Sequence, residues 1–125
     1  FINILRDFFM TNSNRHKISY LACPFTHPDP QIQAEGLNTV NQFVAEKHQS
    51  GEFIYSPLTH NITLAKHFTK KASWETWEKF DKAMLQRCDE LIVLTLTGWE
   101  TSRGVQAEIA FAKEINLPIK MMELL

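Results

Sequence analysis

The sequence predicts an α/β protein: a Rossmann-like three-layer sandwich in which an open parallel sheet of about four strands, in the order 2-1-3-4, carries helices on both faces. Short apolar runs rich in β-forming residues alternate along the chain with segments of helical periodicity, in the order β-α-β-(α)-α-β-α-β. The clearest strand, Asp89–Leu96, is apolar on both faces, which is typical of a parallel strand that helices cover on both sides. The length of 125 residues suits one domain.

Prolines and a glycine mark the elements of the first half. Lys17–Phe25 (KISYLACPF) is a short buried strand, and the turn THPDP follows it. Gln31–Ser50 has helical periodicity, and the glycine at position 51 ends that helix. Glu52–Pro57 is a second short strand that stops at its proline. Leu58–Ser73 is ambiguous and is expected to contain a loop and a short helix.

Helix caps and apolar runs define the second half. Trp74–Cys88 is a strong helix with Ser73 as its N-cap, and Val105–Ile115 is the last helix. Leu117–Leu124 is the final strand. A strand order of 2-1-3-4 has its switch point between the first and third strands, and ligands of such sheets bind beyond the carboxyl ends of the strands near that point. The segments PFTHPD, SPLTHN and TGWETSRG all follow strands there.

Composition excludes several classes of function. A formal net charge of -1 provides no field that favours a nucleic acid polymer or an anionic membrane. No apolar run approaches the ~18 residues of a membrane span. Two cysteines without a CxxC motif favour a reduced, cytoplasmic setting. Residues 1–16 lack a signal-peptide cleavage site and are expected to form an N-terminal arm or a tag-like segment, and residues 17–125 form the domain.

Two carboxylates interrupt the apolar stripes of neighbouring helices. Glu108 falls within the stripe of the last helix, and Asp81 falls within that of the helix before it. In that earlier helix, Trp74 and Trp77 share the stripe of Asp81 and are expected in the core, whereas Glu78 and Lys82 fall on the opposite face. A charge that faces a core is costly unless it is paired or poised for chemistry. Two inward carboxylates at one cleft suggest glycosidic-bond chemistry, in which one attacks or stabilises the anomeric carbon and the other protonates the leaving group. The structural alternative is that Asp81 caps a loop amide or pairs with a lysine of residues 66–71, and that Glu108 pairs with Arg103.

Three stretches, YLACPF, FDKAMLQRCDELIVL and SRGVQAEIAFAKEINLPI, resemble the nucleoside 2-deoxyribosyltransferase superfamily. The resemblance covers about Ile18 to Met122. The sequence is also similar to small uncharacterised members of this superfamily that carry P[FY]THPD, SP.TH and GW..S.GV..E signatures. The positions that match the family pattern are Tyr20, Asp81, Asp89, Ser102, Gly104 and Glu108.

The resemblance implies a mechanism and a class of substrate. Glu108 attacks C1' of a 2-deoxyribosyl group, Asp81 protonates or orients the leaving base, and Tyr20 positions Glu108 or the sugar. Transferases acting on free nucleosides often carry aspartate where this chain has Ser102, and Ser-x-Gly-Val-x-x-Glu resembles the 2'-deoxynucleoside 5'-phosphate N-hydrolases, where the serine helps to hold the phosphate. A hydroxyl and free amides at a helix N-terminus favour an anion, whereas an aspartate there would repel it. Arg103 either adds positive charge or points to solvent.

Several loop residues have two interpretations. His27, Asp29 and His60 are candidate ligand contacts, or simply polar loop residues. Phe25, which ends the first strand, is a further candidate for contact with the substrate. Trp99 stacks on a base or packs in a dimer interface. Cys23 is expected to be a buried thiol rather than a nucleophile.

The predicted partner is a small nucleotide or nucleoside, with no organic cofactor and no metal. His60 and His67 share a helical stripe but lack a third ligand. The resemblance also implies a homodimer or a higher homo-oligomer. Two alternatives stay open: a nucleotide-sensing module without catalysis, and a hydrolase of a modified nucleotide. Hydrolysis and transfer are not distinguished, because that choice depends on the access of water to the glycosyl-enzyme.

Overall fold

A computed structural model of the chain describes residues 15–124, so the predicted arm at residues 1–16 lies almost wholly outside the described residues. The predicted alternation of strands and helices is confirmed in this part of the chain, and the ambiguous segment contains a two-turn helix and a loop. The elements are β1 (Ile18–Ala22), α1 (Pro30–Gln49), β2 (Phe53–Tyr55), α2 (Pro57–Ala65), α3 (Trp74–Leu85), β3 (Glu90–Leu94), α4 (Arg103–Glu114) and β4 (Ile119–Met122).

The four strands form one parallel sheet in the order β2-β1-β3-β4, as predicted. The chain leaves β1 toward β2 and then crosses back over β1 to reach β3. This reversal places the switch point between β1 and β3, whose carboxyl ends diverge into different loops. Tyr20 on β1 is in register with Tyr55 on β2 and with Leu91 on β3, so the three side chains share one face of the sheet.

Alternation along the strands divides the core into two layers. Tyr20, Leu91 and Val93 point toward α3 and α4, where they meet buried residues such as Leu85. The alternate residues of β1 and β3 point to the opposite layer, which is built with α1 and comprises Leu21, Cys23, Val40, Phe43, Ile54, Ile92 and Leu94. The apolar character of β3 on both faces follows from this arrangement.

Side-chain caps begin the helices at the carboxyl edge of the sheet. Ser56, Ser73 and Ser102 each accept a hydrogen bond from the backbone N–H three residues further on. The C-terminal end of α1 stops at Gly51, whose φ of 90° is favourable for glycine alone. Several helix N-termini therefore converge on one edge of the sheet. Among residues 15–124, no helix combines the length and the apolar character needed to cross a membrane.

Candidate active site

A cavity of about 720 Å³ opens at the carboxyl ends of β1 and β3, at the predicted switch point. Ligand pockets in proteins span roughly 300–1,000 Å³, so this cavity has the size of a typical ligand pocket. The residues that follow β1, the inner side of α2, and the facing sides of α3 and α4 form its walls. Six of the residues predicted for the site line it: Phe25, Asp81, Ser102, Arg103, Gly104 and Glu108.

Glu108 projects into this cavity from the second turn of α4. Its neighbours on the helix stripe, Val105 and Ala112, are fully buried against the sheet, which directs the carboxyl into the wall. Burial, together with the nearby charge of Asp81, raises the pKa of Glu108 to about 8, although the Tyr20 hydroxyl opposes the shift. The carboxyl therefore lies where it can change protonation state near neutral pH.

Asp81 faces the same cavity from α3. Burial raises its pKa, and a hydrogen bond from Asn61 together with the charge of His60 opposes that shift. The amide Nδ2 of Asn61 donates to Oδ1 of Asp81 over 2.9 Å. The two carboxyls thus share one site, and each makes ionisation of its neighbour less favourable.

Neither carboxylate makes the ion pair that the structural alternative predicts. The salt bridges within residues 15–124 join other residues and include neither Asp81 nor Glu108. The guanidinium of Arg103 instead lies over the ring of Trp74, 5.0 Å from its centroid. Pairing with Arg103 or with a lysine of residues 66–71 is therefore wrong as an explanation of the two inward charges.

Two phenols lie beneath the carboxylates. Tyr20 is fully buried, and its ring centroid lies 5.7 Å from that of Tyr55, a residue not among those predicted for the site. Burial and the charges of Glu108 and Asp81 raise the pKa of Tyr20 far above its usual range, so it stays a hydroxyl and can only donate to a carboxylate. Within residues 15–124 neither hydroxyl has a hydrogen-bond partner of standard geometry, although Tyr20 lies close enough to Glu108 to affect its pKa.

The N-terminus of α4 forms the second polar region of the cavity. The hydroxyl of Ser102 accepts a hydrogen bond from the backbone N–H of Val105 at 3.3 Å and so caps the helix. The cap leaves the amides of the first turn, at Arg103 and Gly104, without intrahelical acceptors. With the helix dipole and the Arg103 guanidinium, this region is suited to an anion.

The wall supplied by α3 differs from the prediction. Trp74 and Trp77 were expected in the core, but both are partly exposed and line the cavity. Glu78 and Lys82, assigned to the opposite face, line it as well. They form an ion pair of 3.0 Å, and the Lys82 ammonium also lies 5.3 Å from the centroid of the Phe111 ring. Hydrogen bonding to Lys82 lowers the pKa of Glu78, which favours the ionised carboxylate.

Four predicted contact residues are absent from the cavity lining. Asp29 caps α1 by accepting from the backbone N–H of Gln31, and the backbone N–H of Asp29 donates to Nδ1 of His27. Trp99 packs against the buried residues between the sheet and α4. His60 lies behind Asn61, with its ring stacked on Phe80. In this conformation all four have structural contacts instead.

Cys23 is a buried thiol in the cavity wall, as expected. Burial and the charge of Glu108 raise its pKa to about 12, which leaves very little thiolate at neutral pH. Among residues 15–124, no three His, Cys, Asp or Glu side chains are grouped so that they could hold a metal ion.

Two neighbouring carboxyls and a helix N-terminus thus lie at the switch point of a parallel α/β sheet, the place where ligands of such sheets commonly bind. A family model described as "Domain of unknown function (DUF1937)" matches residues 17–124, and the chain belongs to this family. A search of curated proteins gave no significant match.

Because Glu108 is buried, we expect ionisation of its carboxyl to lower the folding stability of the protein. Because the folded-state pKa is raised from 4.5 to about 8, the folded state binds the proton more tightly, and stability present below pH 4.5 is lost as the pH rises through 8. Glu108→Gln lacks this dependence. At roughly 1.4 kcal/mol per pKa unit, we expect its Tm advantage to grow from near zero at pH 5 to on the order of 10 °C at pH 9.

Thermal unfolding followed by circular dichroism across this pH range checks the expectation. Glu114→Gln, the same substitution at an exposed position of α4, is the matched control, and its Tm difference from wild type should not change with pH. A Tm difference for Glu108→Gln that does not change with pH would show that the carboxyl is not poised by burial.

Proposed function

We propose that the protein cleaves, or transfers across, the N-glycosidic bond of a 2'-deoxynucleoside 5'-monophosphate, with Glu108 as the nucleophile. The observation that carries this proposal is the pair of partly buried carboxyls, Glu108 and Asp81, in one cavity and without ion-pair partners within residues 15–124. Enzymes that cleave glycosidic bonds use two carboxyls in this way. The resemblance to the nucleoside 2-deoxyribosyltransferase superfamily supports the choice of sugar and of bond.

Each carboxyl has one role in the proposed reaction. An oxygen of ionised Glu108 bonds to C1' as the bond from C1' to the base nitrogen breaks, and Asp81 gives its proton to the departing base. A water oxygen, or the nitrogen of a second base, then bonds to C1' while Asp81 takes back a proton and Glu108 leaves as a carboxylate. The Tyr20 hydroxyl, buried beside Glu108, positions and stabilises that carboxylate.

The amino end of α4 is the proposed phosphate site. Ser102, Arg103 and Gly104 line the cavity there and present a hydroxyl, a guanidinium and free amides. The ammonium of Lys82, on the facing wall, adds a second cation to this cavity. A homodimer or higher homo-oligomer and a cytoplasmic location are parts of the same proposal, supported by the resemblance and by the two buried free cysteines.

Release of free base, measured by chromatography, tests the proposal. The panel is the four common 2'-deoxynucleosides and their 5'-monophosphates, each with and without an acceptor base. We expect release from monophosphates, and formation of a new nucleotide with the acceptor only if transfer competes with water. Nucleotide binding without any release would contradict catalysis on these substrates and favour a nucleotide-sensing module.

The pH dependence of kcat/KM follows from the coupled carboxyls. Because one must be ionised and the other protonated, we expect a bell-shaped profile for wild type, whose alkaline limb near pH 8 marks the loss of the one proton that the pair shares. The matching experiment uses Asp81→Asn and a substrate whose base departs unprotonated, such as 7-methylguanine. The alkaline limb of its kcat/KM profile should vanish. The rate should then rise to a plateau at or below about pH 8, because the neighbouring charge that raises the Glu108 pKa is gone. A bell that persists in Asp81→Asn would contradict this assignment of roles.

Ser102→Ala tests the phosphate site against a matched cap. Loss of the cap should cost about 1 kcal/mol of folding stability, and loss of the hydroxyl should lower kcat/KM for monophosphates roughly 10–100-fold with little change for free nucleosides. Ser73→Ala removes the equivalent cap of α3, a hydrogen bond of 3.3 Å, at a position outside the cavity lining. It should cost similar stability and leave the ratio of monophosphate to nucleoside unchanged. An equal change of the ratio in both variants would remove Ser102 from the phosphate site.

A further inference from the structure

Asn61 fixes one oxygen of the Asp81 carboxyl. Its side chain reaches from α2 to α3, and Nδ2 donates to Oδ1 of Asp81 over 2.9 Å. Asn61 is partly buried and lines the cavity beside Asp81. Because Oδ1 is occupied as an acceptor, the second oxygen, Oδ2, is left to carry the proton of the neutral acid.

The neighbouring histidine, His60, contacts the side-chain amide of Asn61. Nδ1 of His60 lies 2.9 Å from Oδ1 of Asn61. A hydrogen on that nitrogen requires the amide oxygen of Asn61 to face the histidine and its NH₂ group to face Asp81. The His60 ring is stacked on Phe80, with centroids 5.1 Å apart and an interplanar angle of 14°. Since Phe80 precedes Asp81 on α3, the chain of contacts returns to the helix that carries the acid.

We propose that Asn61 is a positioning residue for Asp81, and that His60 holds Asn61 in the orientation that leaves Oδ2 of Asp81 as the proton-carrying oxygen. The acid role of Asp81 in this inference rests on the proposed function, whereas the geometry of the three side chains does not. The hydrogen bond from Asn61 also stabilises the carboxylate that remains after the proton has moved to the leaving base. His60, predicted as a ligand contact, would then act through Asn61.

A carboxyl titration tests the geometry without any catalytic assay. The titratable groups near Asp81 are Glu108, Tyr20, Tyr55 and His60, so the titration is recorded by ¹³C-carboxyl NMR with Glu108→Gln in every variant to remove the coupled acid. Asn61→Leu keeps the size of the side chain and removes the donor. We expect the pKa of Asp81 to rise in this variant, because the lost hydrogen bond had favoured the charged form.

The control is Asn41→Leu, which alters an exposed asparagine on α1 that bonds to Thr59 instead. It should leave the titration of Asp81 unchanged. A folded Asn61→Leu protein in which Asp81 titrates as in the control would overturn the proposal.

Kinetics test the positioning role in the otherwise wild-type protein. Asn61→Leu should lower kcat roughly 10–100-fold for ordinary bases with KM little changed, and should leave release of 7-methylguanine nearly unaffected. Combined with Asp81→Asn it should add no further loss, because both changes disable one acid. His60→Phe, which retains an aromatic ring against Phe80, should cost less, roughly 3–10-fold.

Two kinetic outcomes would count against the proposal. A rise in KM alone would make Asn61 a substrate contact, and an additive loss in the double variant would show that it acts independently of Asp81. If wild type releases no base from any substrate, the proposed function fails, and the NMR titration still decides whether Asn61 controls Asp81.

Discussion

Glu108→Gln is expected to lower base release from 2'-deoxynucleoside monophosphates by at least about 10³-fold. The amide has nearly the size of the carboxyl but cannot form the ester-like bond to C1', so the double displacement loses its first step. The variant should keep nucleotide binding and should be more stable than wild type above pH 8, since it removes a largely enclosed ionisable group. Initial rates of base release, measured at saturating nucleotide by chromatography, give the loss directly.

The exposed variant Glu114→Gln controls for the loss of one negative charge from α4 and should retain full activity. The combination of a more stable protein, intact binding and no turnover separates a lost reacting group from a damaged fold. Glu108→Gln with wild-type turnover would contradict the nucleophile role.

The second large effect is expected at Asp81. Asp81→Asn removes the proton donor, and general acid catalysis contributes about 10²–10⁴-fold in rate. The loss should depend on the leaving group: severe for adenine or cytosine, and slight for 7-methylguanine, which departs without taking up a proton. Rates on a matched series of monophosphates, corrected for spontaneous base loss, measure this dependence.

Asp89→Asn is the control for Asp81→Asn. Asp89 lies at the amino end of β3, where it pairs with Arg15 at 2.6 Å and accepts from the backbone N–H of Ile18, outside the cavity lining. We expect Asp89→Asn to be less stable than wild type because it weakens these contacts, and any loss in the rate of base release should be equal for all bases. An Asp81→Asn defect that is equally independent of the leaving group would show that Asp81 does not act as the acid.

The fold could be predicted because each element has a strong local signal. The β3 strand is apolar on both faces, and Gly51 provides the positive φ at the end of α1. The inward carboxylates could be predicted for a related reason: Glu108 and Asp81 each fall in a helical stripe whose neighbours are apolar. The helical period indicates which side of a helix faces inward.

Periodicity does not show whether the space inside is filled. Trp74 and Trp77 occupy the inward side of α3, as predicted, but they face a cavity of about 720 Å³ and not a packed core. Lys82 belongs to the polar side and still reaches the cavity, because its flexible stem lets the ammonium lie over the Phe111 ring. Such positions depend on the spacing between helices, which a single sequence does not contain.

Two residues near the carboxyls, Asn61 and Tyr55, were missed for a different reason. Asn61 lies in α2, within a segment whose pattern is ambiguous, and its contact with Asp81 spans 20 residues. Tyr55 is close to Tyr20 only because β2 pairs with β1 in one particular register. His27 and Asp29 had suggested ligand contacts from their place in the loop after the first strand, but in the structure their hydrogen bonds form the cap of α1.

Covalent trapping on Glu108 tests the central claim most directly. A 2'-deoxy-2'-fluoroarabinosyl nucleotide slows breakdown of the glycosyl-enzyme, so the protein can be quenched, digested and mapped by mass spectrometry. We expect one fluoroarabinosyl 5-phosphate per chain on the peptide that contains Glu108, and none in Glu108→Gln. Label on Asp81 or Cys23, or base release from this nucleotide with no label on the protein, would contradict it.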